Sequence, residues 1–255
     1  MTEPIAMCFS GGKDSALALH HLRTRGSHDV VELVTTVTDA YDRVSMHGVR
    51  RSLLRRQAQA AGVALTEVVV PPQSSNAIYE RAMGDAFARL RADGIRRVAF
   101  GDIFLEDLRT YRERQLAEHD LACLFPIWKQ DTTALAHSFI QLGFAATTVC
   151  IHRAVLDARF VGRAFERQFL AELPDAVDPC GENGEFHTFV SDGPIFSAPV
   201  PVTAGAIVER DGFAFCDLTA SDEAPSRETR PGGAPPKDLP HGNAHDHRSN
   251  QGADQ

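Results

Sequence analysis

Over the first 151 residues, apolar runs of β character alternate with stretches in which apolar residues recur every three or four positions. The runs at 5–9, 30–37, 65–70, 96–100 and 145–151 predict strands. The periodic stretches near 14–25, 48–61, 76–92, 106–118 and 131–141 predict helices. In the second of these helices Val49, Leu53, Leu54 and Ala58 form one apolar stripe, while Arg50, Arg51, Arg55 and Arg56 point mostly elsewhere. Strands that are apolar throughout and separated by amphipathic helices predict an α/β fold, a five-stranded parallel sheet flanked by helices on both faces. Residues 132–151 carry no Asp, Glu, Lys or Arg, but Gly143 divides them into a helix and a strand, so they do not read as a membrane span.

Beyond residue 152 the pattern changes. Residues 157–172 predict a helix with Phe165 and Phe169 four apart on one side, and Pro174 to Gly181 predict a loop. Short strands follow at 186–190, 194–197, 200–209 and 212–218, a small β-containing extension. From Thr219 onward the chain is Pro, Gly, His and charge with almost no large apolar residue, which predicts a disordered tail. The expected organisation is a sheet domain over 1–152, a C-terminal subdomain over 153–218 and a tail over 219–255.

Charge and cysteine usage narrow the function classes. With 26 basic and 34 acidic residues the formal charge is −8, so no bulk attraction to nucleic acid or an anionic membrane is expected, and neither is a predicted partner. The five cysteines are scattered and include no Cys-x-x-Cys pair, which argues for a reducing compartment and against zinc or iron–sulfur binding. The first strand starts near Ile5, leaving no room for a leader, so the expected location is cytoplasmic. A homodimer is one open oligomeric arrangement.

The candidate chemistry begins where the first strand ends. Residues 10–15 read Ser10-Gly11-Gly12-Lys13-Asp14-Ser15 and run straight into Ala16-Leu17-Ala18-Leu19. A buried strand that ends in two glycines and opens a helix turns several unpaired N–H groups toward one spot, where the helix dipole and Lys13 add positive potential. Ser10 and Ser15 add hydroxyls, and the glycines let the backbone approach a ligand closely. Asp14 is unfavourable inside an anion nest unless it holds a cation, which marks it as a Mg²⁺ partner. Neither Gly-x-x-x-x-Gly-Lys-Ser/Thr nor Gly-x-Gly-x-x-Gly occurs after a strand.

Other candidates fall near predicted strand ends, where ligands bind in open α/β sheets. Thr36 closes the second strand and could face an adenine edge. His47, in Ser45-Met46-His47-Gly48, is a candidate phosphate contact. Gly101 and Asp102 suit ligand approach and a ribose or Mg²⁺ contact, with Arg112 nearby. The densest set is Gly181-Glu182-Asn183-Gly184-Glu185-Phe186-His187-Thr188, which packs two carboxylates, an imidazole and a hydroxyl between glycines. Glu182, Glu185 and His187 are candidates for proton transfer to or from an attacking amine, and the carboxylates are alternatively Mg²⁺ partners.

These segments together resemble the diphthine–ammonia ligase (diphthamide synthase-like) family, a branch of the ATP pyrophosphatases. The resemblance is carried by Ser10–Ser15, which matches the SGGxDS loop of that superfamily, by Ser45-Met46-His47, Gly101-Asp102-Ile103, Leu156–Arg163 and Gly181–Thr188. It implies an adenine nucleotide alpha hydrolase-like (HUP) sheet, ATP and Mg²⁺ as cofactors, and cleavage of ATP to AMP and pyrophosphate. The implied reaction joins a carboxylic acid to ammonia through an acyl-adenylate. Lys13, Asp14, Glu182, Glu185 and His187 would be catalytic, and Ser10–Ser15, Thr36, His47, Gly101 and Asp102 would bind nucleotide. Glu182, Glu185, Thr188 and Arg112 would face the acceptor, a small or protein-bound carboxylic acid. A nucleotide-binding module without turnover and a tRNA-modifying enzyme remain the alternative readings.

Overall fold

A computed structural model describes residues 2–44, 48–72 and 74–221. Its first layer is built from β1 (Glu3–Cys8), α1 (Lys13–Arg25), β2 (His28–Thr38), the two-residue β3 (Arg43–Val44) and α2 (Arg51–Ala61). It continues through β4 (Ala64–Val70), α3 (Asn76–Ala92), β5 (Arg97–Ala99), α4 (Glu106–Ala117) and β6 (Ala122–Leu124). β1 pairs in parallel with β2 and β5, β2 with β4, and β5 with β6. The parallel order is therefore β4-β2-β1-β5-β6. β2 outruns β1 by four residues, and β3 pairs antiparallel with the overhang at Val37 and Thr38.

Alternation along β1 explains why the strand is apolar throughout. Ile5 and Met7 join one core cluster with Leu17, Leu53 and Leu54, whereas Ala6 joins the other with Phe87, Val98 and Leu116. Helices α1 and α2 thus cover one face and α3 and α4 the other, as a doubly wound sheet requires. The winding reverses between β1 and β5. That switch point leaves a crevice at the carboxyl ends of the strands.

The second layer consists of α5 (Thr132–Gln141), β7 (Ala145–His152), α6 (Arg167–Ala171), β8 (Phe186–Asp192), β9 (Val202–Arg210) and β10 (Phe213–Ala220). Its strands form an antiparallel sheet in the order β8-β7-β10-β9 that shares its core with the α1 and α2 face. The uncharged stretch 132–151 divides at Gly143 into α5 and β7, as its pattern predicts. No helix among the described residues is long and apolar enough to cross a membrane.

Three expectations change. The run 145–151 is a strand, but it heads the antiparallel sheet; the fifth parallel strand is the three-residue β6, too short to stand out by pattern. The helix expected over 157–172 is instead a 3-10 turn at Ala158–Phe160 and the short α6. Between them the backbone bonds to β7, with Gly162 N donating to Thr148 O at 2.7 Å and Phe165 N to Ala146 O at 2.8 Å. Residues 194–197 form turns, not a strand, closed by Phe196 N donating to Gly193 O at 3.0 Å. β10 runs to Ala220, and the tail from 222 lies outside the described residues.

An ion-pair cluster joins the layers. Asp217 on β10 accepts from Arg43 Nη1 at 2.8 Å and from Arg50 Nη2 at 2.6 Å. Burial alone would raise the Asp217 pKa, but the hydrogen bonds from Arg50 and Arg43 hold it below its ordinary value of 3.8. Its contribution is therefore complete above that value and is lost as pH falls through the lower folded one. Asp217→Asn is expected to destabilise the fold by about 1–3 kcal/mol at pH 7, since it strands the nearly buried Arg43. Urea melts should show the gap from wild type narrowing as pH falls below 3.8; a gap that widens on acidification would refute the charge assignment.

Candidate active site

The switch-point crevice is where the hexapeptide sits. Gly11 has φ +80°, a left-handed conformation that glycine adopts without strain, and Gly12 is the N-cap from which α1 starts at Lys13. The loop is tied internally by Gly12 N donating to Ser10 Oγ at 3.3 Å and Ser15 Oγ donating to Gly12 O at 2.9 Å. The Ser10 and Ser15 hydroxyls lie 3.3 Å apart. Gly101, just past β5, packs directly on this turn. A Cβ there would stand 2.9 Å from both Asp14 C and Ser15 N, so only glycine lets the two loops meet.

Lys13 is 3% exposed and is satisfied largely by the C-terminal layer. Its backbone N–H donates to Thr188 Oγ1 at 3.0 Å. Its ammonium donates to the Cys180 carbonyl and to Asp14 Oδ2, the latter at 2.9 Å, and lies 5.0 Å from the Phe186 ring centroid. Burial alone would lower its pKa, but the Asp14 carboxylate beside it holds it above the ordinary lysine value, so the charge persists. Across the crevice Glu182 Oε1 accepts from Ile103 N at 2.7 Å, bringing the β5 loop against the 178–188 segment. The loop that opens α1 is thus faced by a carboxylate-bearing segment.

Both halves of this arrangement match one family. The profile described as the diphthamide synthase N-terminal domain matches residues 3–121, and that of the diphthamide synthase C-terminal domain matches residues 131–220. The chain belongs to the diphthamide synthase family. It is 25% identical over 233 residues to the diphthine–ammonia ligase of Schizosaccharomyces pombe, which covers 82% of this chain but only 38% of that protein. The diphthine–ammonia ligases of Bos taurus and Homo sapiens are each 23% identical over 236 residues, covering 84% of this chain and 88% of theirs. A U34-tRNA thiolase from Methanococcus maripaludis is a structural neighbour with 15% identity and a TM-score of 0.34, covering 55% of this chain and 57% of its own.

In this member of the family the predicted residues divide into those that meet and those that stand apart. Ser10–Ser15, Gly101, Glu182 and Thr188 converge around Lys13. Asp102 is locked to Arg112, which bonds both of its carboxylate oxygens and lies 4.4 Å over the Phe100 ring. Glu185 shapes its own loop: it accepts from Asp178 N at 3.1 Å, Asn183 N at 2.9 Å and Asn183 Nδ2 at 2.9 Å. Alternation puts His187 on the face of β8 opposite Thr188, in register with Cys150 of β7. Thr36 stands on β2 two residues past Val34, whose carbonyl accepts from Phe9 N at 2.9 Å. His47 lies outside the described residues.

Two site residues carry little sequence signal. Asp178 accepts from Cys180 N and Glu182 N, both at 3.0 Å, and so sets the turn that presents Glu182; an Asp before Pro-Cys-Gly is its only mark. Gln57, fully buried on α2, bonds the loop itself, and only its polarity within an apolar stripe hints at this.

The acidic side chains suit a nucleotide-borne cation. Burial raises the Asp14 pKa, and Lys13 offsets this only in part while Asp178 adds to it, so the carboxylate lacks full compensation. Among the described residues no group of three or more His, Cys, Asp or Glu could hold a metal alone. Asp14 is nevertheless suited to Mg²⁺, which is often bound by one or two carboxylates together with phosphate oxygens.

Burial, then the charges of Asp14 and Asp102, push Glu182 up to about 8 despite the Ile103 N–H. The folded chain therefore holds a proton between about pH 4.5 and 8 that the unfolded chain has released, and stability falls as pH rises through that window. Glu182→Gln keeps an acceptor for Ile103 N–H and removes the titration. Without nucleotide or Mg²⁺, its Tm should match wild type near pH 5 and exceed it by a few degrees near pH 9. Equal pH slopes for the two proteins would refute the assignment.

Proposed function

We propose that this chain is an ATP-dependent amide ligase of the diphthine–ammonia ligase type, joining a carboxylic acid to ammonia while ATP is cleaved to AMP and pyrophosphate. The observation that carries the reading is the meeting of the two halves at Lys13. A phosphate loop that merely senses nucleotide needs an anion cradle; it does not need Glu182 held over that cradle by the Ile103 N–H. The family match and the names of the relatives support the same reaction class.

In this reading an oxygen of the acceptor carboxylate attacks the α phosphorus, the bond to pyrophosphate breaks, and an acyl-adenylate forms. The nitrogen lone pair of ammonia then attacks the acyl carbon, the bond to AMP breaks, and the nitrogen passes its surplus proton to a base. Lys13 and the N–H groups opening α1 stabilise the negative charge that gathers on the departing pyrophosphate. Mg²⁺ carried by the nucleotide beside Asp14 would neutralise further phosphate charge. Glu182 would take up the proton in its ionised form, which without a nearby cation predominates only above about pH 8. Asp102, braced by Arg112, and Thr36 flank the nucleotide side; Thr188 fixes the start of α1 against the acceptor side.

Lys13→Ala is expected to lower ATP-dependent pyrophosphate release by roughly 10²-fold or more, because a desolvated charge on the leaving group is lost. Glu182→Gln should leave ATP binding intact and slow amide formation. The deciding assay is pyrophosphate release with a panel of carboxylic acids and ammonium, including diphthine-bearing elongation factor 2. ATP bound but left intact under every condition would sink the ligase in favour of a nucleotide-binding module.

A further inference from the structure

We infer that Gln57 is a positioning residue for the phosphate loop, fixing which way the Gly11–Gly12 peptide faces; this rests on the reading of that loop as the ATP site. Gln57 occupies the stripe of α2 that also buries Leu53, Leu54, Ala58 and Ala61, and it is 0% exposed. A primary amide placed among apolar neighbours is unfavourable unless its groups are bonded. Its Nε2 donates to Gly11 O at 2.9 Å and to Val190 O at 2.6 Å. Val190 N in turn donates to Gly11 O at 3.0 Å. One loop carbonyl therefore receives two donors from outside the loop, from a helix of the first layer and a strand of the second.

The geometry of a trans peptide gives this bond its consequence. The C=O and N–H of one peptide unit point in opposite directions, so holding Gly11 O toward Gln57 and Val190 directs the Gly12 N–H the other way. That N–H donates to Ser10 Oγ at 3.3 Å, and on the ATP-site reading this is the side an anion would occupy. A carbonyl turned inward would instead present negative charge to a phosphate. The amide cannot be reversed, because its oxygen would then oppose two carbonyls. As oriented, Oε1 has no hydrogen-bond partner among the described residues and lies 2.4 Å from where a Cβ on Gly11 would stand. Gln57 thereby orients the peptide and crowds position 11, where φ +80° already favours glycine.

The test uses the full chain and compares wild type, Gln57→Met and Lys13→Ala by calorimetric titration with Mg·ATP and with adenosine, which lacks phosphates. Gln57→Met fills the same space without donors, and it should weaken Mg·ATP at least about tenfold while leaving adenosine unchanged within about twofold. Unchanged Mg·ATP affinity, or equal losses for both ligands, would overturn the positioning role. Should Gln57→Met not fold by circular dichroism, Gln57→Leu, uncharged and likewise without donors, carries the same comparison. If Lys13→Ala leaves Mg·ATP affinity intact, the phosphate-site reading falls and the role of Gln57 falls with it. A loss for Lys13→Ala with none for Gln57→Met rejects the role of Gln57 alone.

Discussion

An ammonium group taken out of water is stable only where acceptors and counter-charge surround it. Lys13 meets that requirement at the boundary between two sheets, with Asp14 from its own helix and the Cys180 carbonyl from the segment before β8. The parallel sheet cannot satisfy Lys13 alone. The antiparallel layer is thus part of the setting of the Ser10–Ser15 loop and not an appendage to it. The Thr188 hydroxyl on the Lys13 N–H and the Val190 backbone on Gly11 follow the same logic, each completing a group that the loop leaves open.

The winding of the sheet decides what stands opposite this cation. Because the strand order reverses between β1 and β5, the loops after these two strands diverge to opposite faces and leave a crevice between them. Gly101 lets the β5 loop touch the start of α1, and the next residues bring Asp102 and the Ile103 N–H to the rim. Negative charge therefore accumulates around one buried positive charge. Burial raises the pKa values of Asp14 and Glu182, and neighbouring carboxylates add to the rise in each case. Such an imbalance suits a site that receives its remaining cation together with the nucleotide.

What was legible in the sequence is what depends on local chemistry. The strand–loop–helix at residues 5–25, the parallel class of the sheet and the Gly181–Thr188 element all follow from residue type and period. Partner choice did not follow. The strand at 145–152 has the composition of a buried parallel strand, yet it pairs antiparallel with β8 and β10, because pairing is set by tertiary context that a period of two does not encode. Glu185 and Glu182 look equivalent as sequence. Only the turn set by Asp178 shows that the first closes its own loop while the second reaches Ile103. Gln57 left only a faint mark, a polar residue on the apolar stripe of a helix whose other polar residues face outward.

The long reach of these bonds has a consequence for biosynthesis. The partners that complete the loop at Gly11 and Lys13 lie 167 to 179 residues downstream, at Cys180, Thr188 and Val190. A nascent chain emerging from the ribosome can pair β1 with β2 early, but its loop stays unfinished until most of the described chain has been made. Contacts this distant in sequence are slow to form and are won late. Completion of the loop therefore depends on residues made late, and a product terminated before Cys180 would leave the Lys13 ammonium without the carbonyl that accepts from it.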